Sequence, residues 1–295
     1  MSKITQLTGV IGYPVSKNLS AFMHNTGFKK LNLDYRYLLI EVEPANLKDA
    51  ILGIKAMNFK GFNITVPYKE KIIPLIDEIT IPAKEIGAVN TVWKDEEGKL
   101  IGDNTDGKGF LKALKNEKSI KLKEKKVFLL GAGGAAKAIA ITLAKENISE
   151  LYIADLDSSK ANNLVEHIKD YNKSINTEAL DAAEYSNIKD VVNNMDIFVN
   201  ATPVGMYNNP NNIPIPIEVL NPNLLVYDII NNPYKTKFIQ LAEQLGADTL
   251  NGLPMLSYQG LEGFRRWTGK KISVEVFKEA ALKEVENYSF VDNNH

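Results

Sequence analysis

Residues 126–136 read KVFLLGAGGAA, and after a helix-like segment the chain reads ELYIAD at 150–155. The first stretch is a short apolar strand that breaks at glycine, AAKAIAITLAKEN carries an apolar face at helical spacing, and ELYIAD is strand-like again. Strand, glycine turn, helix and strand in that order form one unit of a doubly wound parallel sheet, and the G-x-G-x-x-A spacing is that of a dinucleotide turn. Gly131 permits the tight turn out of the strand, Gly133 lets the backbone approach a pyrophosphate, and Ala136 is small enough for close helix packing. The run Gly131, Ala132, Gly133, Gly134 and Ala135 then offers the free N–H groups of a helix start to phosphate oxygens. Asp155, about 20 residues past the turn, is placed to accept hydrogen bonds from a ribose 2′-hydroxyl, and Asp157 is an alternative for the same role. Leu156 stands between them where an arginine for a 2′-phosphate would be expected. On this reading the cofactor is NAD, with NADP disfavoured by like charge.

Composition narrows the class. A chain of 295 residues suits about two domains, and a net charge of −1 gives no general attraction to nucleic acid or to an anionic membrane. Zero cysteines exclude disulfides, thiolate-held zinc and a thiol nucleophile, and the three histidines are scattered, so no metal site is expected. No apolar stretch reads as a signal peptide or a membrane span, which leaves a cytoplasmic protein, monomer or homodimer, as the expectation.

Before Lys126 the strand candidates TGVIGYP, YRYLLIEV, GFNITV and AVNTVWK alternate with mostly helical segments, an α/β domain of its own. KLIGDNTDGKGFLKALKNE reads as a turn into a crossing helix, which places a boundary near Asp103 to Asp106. After ELYIAD come a helix, a short strand near NTEALD, the strand DIFVNAT, the loop YNNPNNIP as an exposed segment or lid, and the strand LLVYDII. MLSYQGLEGFRRWTG and SVEVFKEAALKEVENY are amphipathic helices expected to return to the first domain, and the polar tail SFVDNNH is expected to fray. The expected fold is therefore α/β: an N-terminal α/β substrate domain (1–105, rejoined by 253–295) and a Rossmann-type domain (106–252).

Hydride transfer at a carbinol carbon needs a group that gives or takes the hydroxyl proton. Lys69, after a strand end and a proline turn, is the best candidate to reach an interdomain cleft, and Asp106 in DNTDG is its natural partner. Taken alone, a lysine is ordinarily a solvated charge and an Asp before Gly a turn residue. His24 reads as a packed or capping side chain, Phe264 and Trp267 as core, and the lysine-rich run 112–126 as a solvated face.

Seven blocks spread over both halves resemble the shikimate dehydrogenase family, including its quinate/shikimate members. They are GYPVSKNLSAFMHN from Gly12, GFNITVPYKE from Gly61, IGAVNTV from Ile86, GDNTDG from Gly102, GAGGAAKA from Gly131, NATPVGM from Asn200 and MLSYQG from Met255. The resemblance implies that Lys69 and Asp106 are catalytic. It also implies that Thr65, Asn90, Asp106 and Gln259 hold the hydroxyls of a cyclic hydroxy acid, and that Ser20 belongs to a carboxylate clamp. Thr202, Val204, Gly252 and Met255 match positions near the nicotinamide.

The chain departs from the family at Asn18, where the other clamp residue is usually serine, and at Ala21, Asn231 and Pro254, where proline, tyrosine and glycine are usual. Asp155-Leu156-Asp157 replaces the Asn-Arg-Thr or Asn-Arg-Ser of NADP-using members and resembles the NAD-using quinate/shikimate subgroup. The expected reaction is interconversion of shikimate and 3-dehydroshikimate, or of quinate and 3-dehydroquinate. Its rivals are a dehydrogenase of another carboxylated cyclitol, such as an aminoshikimate-like acid, and a non-catalytic NAD-responsive binding protein.

Overall fold

The computed structural model describes residues 4–292, with side chains to residue 286. The chain forms two compact units: one runs to Gly109 and resumes at Leu256, and the other is Phe110–Met255.

In the first unit β1 (Gln6–Gly12), α1 (Ser20–Lys30), β2 (Tyr35–Glu41), α2 (Leu47–Ala56) and β3 (Gly61–Ile64) alternate, followed by β4 (Glu78–Ile79), α3 (Ile81–Ile86), β5 (Thr91–Lys94) and β6 (Leu100–Asp103). The sheet order is β2-β1-β3-β5-β6-β4. Its first three strands are parallel to one another, whereas β5 runs antiparallel to both β3 and β6. Strands β4 and β6 were not separated from their surroundings by sequence; LIGD is only four residues long and opens directly into a turn. The core under α2 packs Ile51, Ile54, Phe59, Phe62 and Val92, each nearly or fully buried. Burying a side chain of that size stabilises the fold by roughly 2 kcal/mol.

Helix α4 (Asp106–Lys118) leads into β7 (Lys126–Leu130), α5 (Gly134–Lys145), β8 (Glu150–Asp155), α6 (Ser158–Tyr171), β9 (Asn176–Asp181), α7 (Tyr185–Val192), β10 (Ile197–Asn200), β11 (Leu225–Asp228), α8 (Lys237–Leu245) and β12 (Asp248–Leu250). All pairs in the second sheet are parallel, in the order β12-β11-β10-β7-β8-β9. This is the doubly wound order, with its direction of winding reversing between β7 and β10. Helix α5 buries Ala136, Ala138, Ile139, Ala140 and Ile141, so its small residues let it lie close to the sheet. Helix α8 starts at a Thr236 cap, whose hydroxyl accepts from the Ile239 N–H, and stops at Gly246 with φ of +95°.

Two further helices, α9 (Leu253–Thr268) and α10 (Val274–Asp292), close the chain. Phe264, Trp267 and Phe277 pack with α1 in the first unit, and the Trp267 indole donates to the Val92 carbonyl at 2.9 Å. The polar tail overlaps the end of α10, and residues 293–295 lie outside the described ones. Among the described residues no helix is long and apolar enough to cross a membrane.

Candidate active site

In the first unit the turn after β3 fixes Lys69. The Thr65 N–H donates to the Ile11 carbonyl at 3.0 Å, the Tyr68 N–H donates back to Thr65, and the Lys69 carbonyl accepts from the Val89 N–H at 2.7 Å. Asp106 opens α4, and its own N–H donates to Asn104 Oδ1 at 3.1 Å. The Lys69 ammonium then donates to Asp106 Oδ2 at 2.6 Å, with the two side chains only 16% and 9% exposed. Asp106 Oδ1 accepts from Asn90 Nδ2 at 2.7 Å.

Asn90 is the hub. Its amide nitrogen also lies 3.1 Å from Thr105 Oγ1 and 3.2 Å from Gln259 Oε1. Its oxygen accepts from the Thr105 N–H at 2.8 Å and from Thr91 Oγ1 at 3.0 Å. Gln259 is turned by its Nε2, which donates to the Leu256 carbonyl. The structure thus brings Lys69, Asn90, Asp106 and Gln259 into one bonded cluster.

Ser20 joins it at a distance. Its hydroxyl bonds the Tyr37 phenol. That phenol donates to Asn63 Oδ1 at 2.7 Å, and Asn63 Nδ2 donates to the Asn90 carbonyl and to Thr91 Oγ1, both at 3.0 Å. Burial pushes the Tyr37 phenol well above its ordinary pKa, so it stays a donor. Asn18 accepts the Ser20 N–H on its side-chain oxygen at 2.9 Å, which orients the start of α1. Thr65 is half-buried against Gly12, where an added Cβ would come within 2.4 Å of the Thr65 methyl.

Tyr37, Asn63, Thr91 and Thr105 were not singled out by sequence. Asn63 and Thr91 carried a usable signal, polar residues inside the otherwise apolar strands GFNITV and AVNTVWK; Tyr37 carried none. His24 is fully buried with neither ring nitrogen hydrogen-bonded, stacked on Tyr37 at 4.4 Å and ringed by Phe28, Phe264, Trp267 and Phe277.

In the second unit Gly131 has φ of +106°, and a Cβ there would stand 3.0 Å from the Ala201 carbonyl, so two separate constraints require glycine. Gly133 differs: its φ is −77°, it caps α5 without a side-chain bond, and an added Cβ would meet nothing within 4 Å. The protein itself does not need that glycine, whereas a pyrophosphate approaching the uncapped N–H groups of Gly134 and Ala135 does. The residues present therefore fit a dinucleotide.

Thr202 is fixed beside this turn, its N–H and hydroxyl both donating to Asn200 Oδ1 at 3.0 and 2.8 Å, and the Val204 N–H donates to Thr202 Oγ1. Gly252 admits no side chain, since a Cβ would lie 1.9 Å from the Ile229 carbonyl oxygen. Met255 is buried, and Pro254 falls in the first turn of α9, where a missing N–H breaks no helical bond.

The two acids expected to hold the ribose also carry bonds within the chain. Asp155 accepts the Ala132 N–H on Oδ2 at 2.8 Å and the Asp157 N–H on Oδ1 at 2.9 Å. Asp157 caps α6 by accepting from the Ser159 N–H and pairs with Lys160 at 3.2 Å. Hydrogen bonds from Ser159 and Lys160 hold its carboxyl below the ordinary range.

Three family models match the chain: the shikimate dehydrogenase substrate binding domain over residues 10–92, shikimate / quinate 5-dehydrogenase over 113–207, and the shikimate 5′-dehydrogenase C-terminal domain over 252–282. A shikimate dehydrogenase (NADP(+)) of Carboxydothermus hydrogenoformans is 43% identical over 94% of this chain and 96% of its own. A crystal structure of a shikimate dehydrogenase in complex with NADP+ superposes with a TM-score of 0.87 at 39% identity, covering 95% of this chain and 96% of the other. One from Listeria monocytogenes, in complex with shikimate and NAD, gives 0.84 at 38% identity, covering 93% and 96%.

These relatives overturn the expected preference for NAD, since the curated ones are named for NADP(+). The physical reason lies in Asp155 and Asp157. On sequence alone both acids count as uncompensated charges reserved for a ribose; Asp155 instead holds the Ala132 and Asp157 N–H groups, and the charge of Asp157 is offset by Lys160 at 3.2 Å. With domain models matched on both units and such relatives spanning nearly its whole length, the chain belongs to the shikimate dehydrogenase family and is an oxidoreductase.

Proposed function

We propose that this enzyme interconverts shikimate and 3-dehydroshikimate, with Lys69 moving the proton and NADP(H) as its dinucleotide. The observation that carries the reading is the 2.6 Å bond between Lys69 Nζ and Asp106 Oδ2 inside a cluster of Asn90, Thr105 and Gln259. Amides and hydroxyls at fixed positions are the donors and acceptors that a polyhydroxylated ring demands. The bound dinucleotide supplies or takes the hydride.

In reduction, the Lys69 ammonium gives its proton to the carbonyl oxygen as charge develops there; in oxidation, the neutral amine takes it back. Asp106 holds the ammonium in line on one oxygen and is itself held on the other by Asn90. Ser20 and Asn18 receive the ring carboxylate, Thr65, Asn90 and Gln259 its hydroxyls. Gly131 to Ala135 seat the pyrophosphate, and Thr202, Val204, Gly252 and Met255 lie towards the nicotinamide. A site that pairs with each hydroxyl rejects analogues lacking one, because its own buried polar groups are then left unpaired.

The test is the initial rate of NADP+ reduction with shikimate and, separately, with quinate at matched concentrations. Shikimate is expected to be the faster acid. Turnover of neither acid by folded protein that binds NADPH would retire the reading, and quinate outrunning shikimate would reassign the substrate.

A further inference from the structure

We infer that Asp228 is a positioning residue for the dinucleotide, holding together the loops at the carboxyl edge of the second sheet that carry Thr202, Val204 and Gly252. Asp228 is the last residue of β11 and is fully buried. Its Oδ1 accepts from Asn200 Nδ2 at 3.0 Å and from the Ile230 N–H at 3.2 Å, and its Oδ2 accepts from the Thr236 hydroxyl at 2.6 Å.

Asn200 ends β10, whereas Ile230 and Thr236 stand near the two ends of the connection from β11 to α8. Asn200, itself fully buried at the end of β10, uses its side-chain oxygen to take both the N–H and the hydroxyl of Thr202, whose own oxygen takes the Val204 N–H. The Ile230 carbonyl accepts the Gly252 N–H at 2.9 Å. Thr236 caps α8, and the Asn232 carbonyl between them accepts the Tyr207 N–H at 3.1 Å from the loop after β10.

A neutral amide replaces this carboxylate poorly. An Asn at 228 would turn its NH2 group either against the Asn200 amide and the Ile230 N–H, or towards the Thr236 hydroxyl, which already accepts the Ile239 N–H and would have to accept where it now donates; only a carboxylate accepts from all three groups as they stand. Burial pushes the Asp228 carboxyl up to about 6, against the three hydrogen bonds that favour its charge, and no cation pairs with it among the described residues. Of the segments it joins, the loop after β10 stands where winding reverses between β7 and β10, the place at which such sheets bind ligands, and the connections after β11 and β12 follow it along the same carboxyl edge. The Ala201 carbonyl lies 3.0 Å from where a Gly131 Cβ would be, so the Thr202 loop also abuts the glycine turn.

The cofactor half of this inference rests on the function proposed above, and its test separates the two. Hydrogen exchange of the cofactor-free protein is measured for wild type, Asp228→Asn and Thr236→Val, with NADPH affinity and the KM for shikimate measured beside it. Asp228→Asn should speed exchange through Thr202–Gly205 and weaken NADPH binding, each about tenfold, the scale of one lost charge-assisted hydrogen bond. Amides of β8 and β9 and the KM for shikimate should stay within about twofold, as distant independent sites do. Thr236→Val, which leaves the charge in place, should move the same readouts in the same direction by less, and it carries the test if Asp228→Asn does not fold. Wild-type exchange and affinity in a folded variant, or a lower Tm with neither changed, overturns the inference. Wild-type protein that fails to bind NADPH retires the functional reading instead, and exchange alone then decides the role of Asp228.

Discussion

Lys69 and Asp106, 37 residues apart in the chain, meet at 2.6 Å in a largely buried ion pair whose second carboxylate oxygen is held by Asn90. The pair is built by two local devices. A turn bonded to β1 presents the lysine, and Asn104 orients the first turn of α4 that presents the aspartate. These bonds fix where each side chain leaves the backbone, and the 2.6 Å bond to Asp106 then holds the ammonium in place before any substrate arrives.

Replacing Lys69 with Ala should therefore lower kcat by about 100-fold or more, the usual scale for a group that moves a proton, while the KM for shikimate changes little. Asp106→Asn keeps the shape but loses the charge that orients the ammonium, and should raise KM as well as lower kcat. Steady-state kinetics on both variants checks this, and near-wild-type kcat in Lys69→Ala would remove the lysine from its assigned role.

Gly133 separates folding from binding. Because a Cβ there meets nothing within 4 Å, Gly133→Val should fold. Its loss of stability should not exceed about 1 kcal/mol for the poorer helix cap. The same branched side chain would stand where a pyrophosphate approaches α5, so NADPH affinity should fall by about tenfold or more. Thermal unfolding with fluorescence titration of NADPH gives both numbers; unchanged affinity would move the phosphate site away from this turn.

Asp155 makes a different prediction from the one its position in ELYIAD suggests. Its Oδ2 fixes the Ala132 N–H within the glycine turn, so Asp155→Ser loosens the turn itself. Affinity for NADPH and NADH should fall together, by about tenfold, the lower end of the range for one lost hydrogen bond to a charged group. Dissociation constants for both nucleotides test this. A large change in their ratio, with the sum of affinities preserved, would return Asp155 to ribose selection.

Most of the second unit was legible because its signals are local: β7, the glycine turn and α5 lie in one continuous stretch, and β8, β10 and β11 are largely apolar runs ended by turns, whereas β9 is mostly polar and the three-residue β12 was not read. The first unit was less so. β4 and β6 are two and four residues long and owe their existence to pairing with each other and with β5, which periodicity within a segment does not encode. The same holds for the site. Lys69 and Asp106 were visible as motif residues, whereas Tyr37 matters only because β2 places its hydroxyl against Ser20 and Asn63. Asp155 is the reverse case: its place at a strand end was read correctly, but the N–H that occupies its Oδ2 comes from the turn 23 residues earlier, and the one on its Oδ1 from Asp157.

His24 supplies the last prediction, on stability rather than activity. Its imidazole is fully buried among five aromatic rings with no hydrogen bond to either nitrogen, and burial lowers its pKa from 6.5 to about 3. Between those values the unfolded chain binds a proton that the folded protein refuses, so stability is complete above about pH 6.5 and declines as the pH falls towards 3. At roughly 1.4 kcal/mol per unit, the loss at pH 4 is about 3 kcal/mol. Urea unfolding of wild type and His24→Phe at intervals from pH 7 to 4 isolates this, because every other titrating group is common to both. The phenylalanine retains a ring on Tyr37 and has no proton to gain, so its stability curve should be flatter by about that 3 kcal/mol. Parallel curves for the two proteins would mean that the imidazole finds a partner, or water, once it is charged.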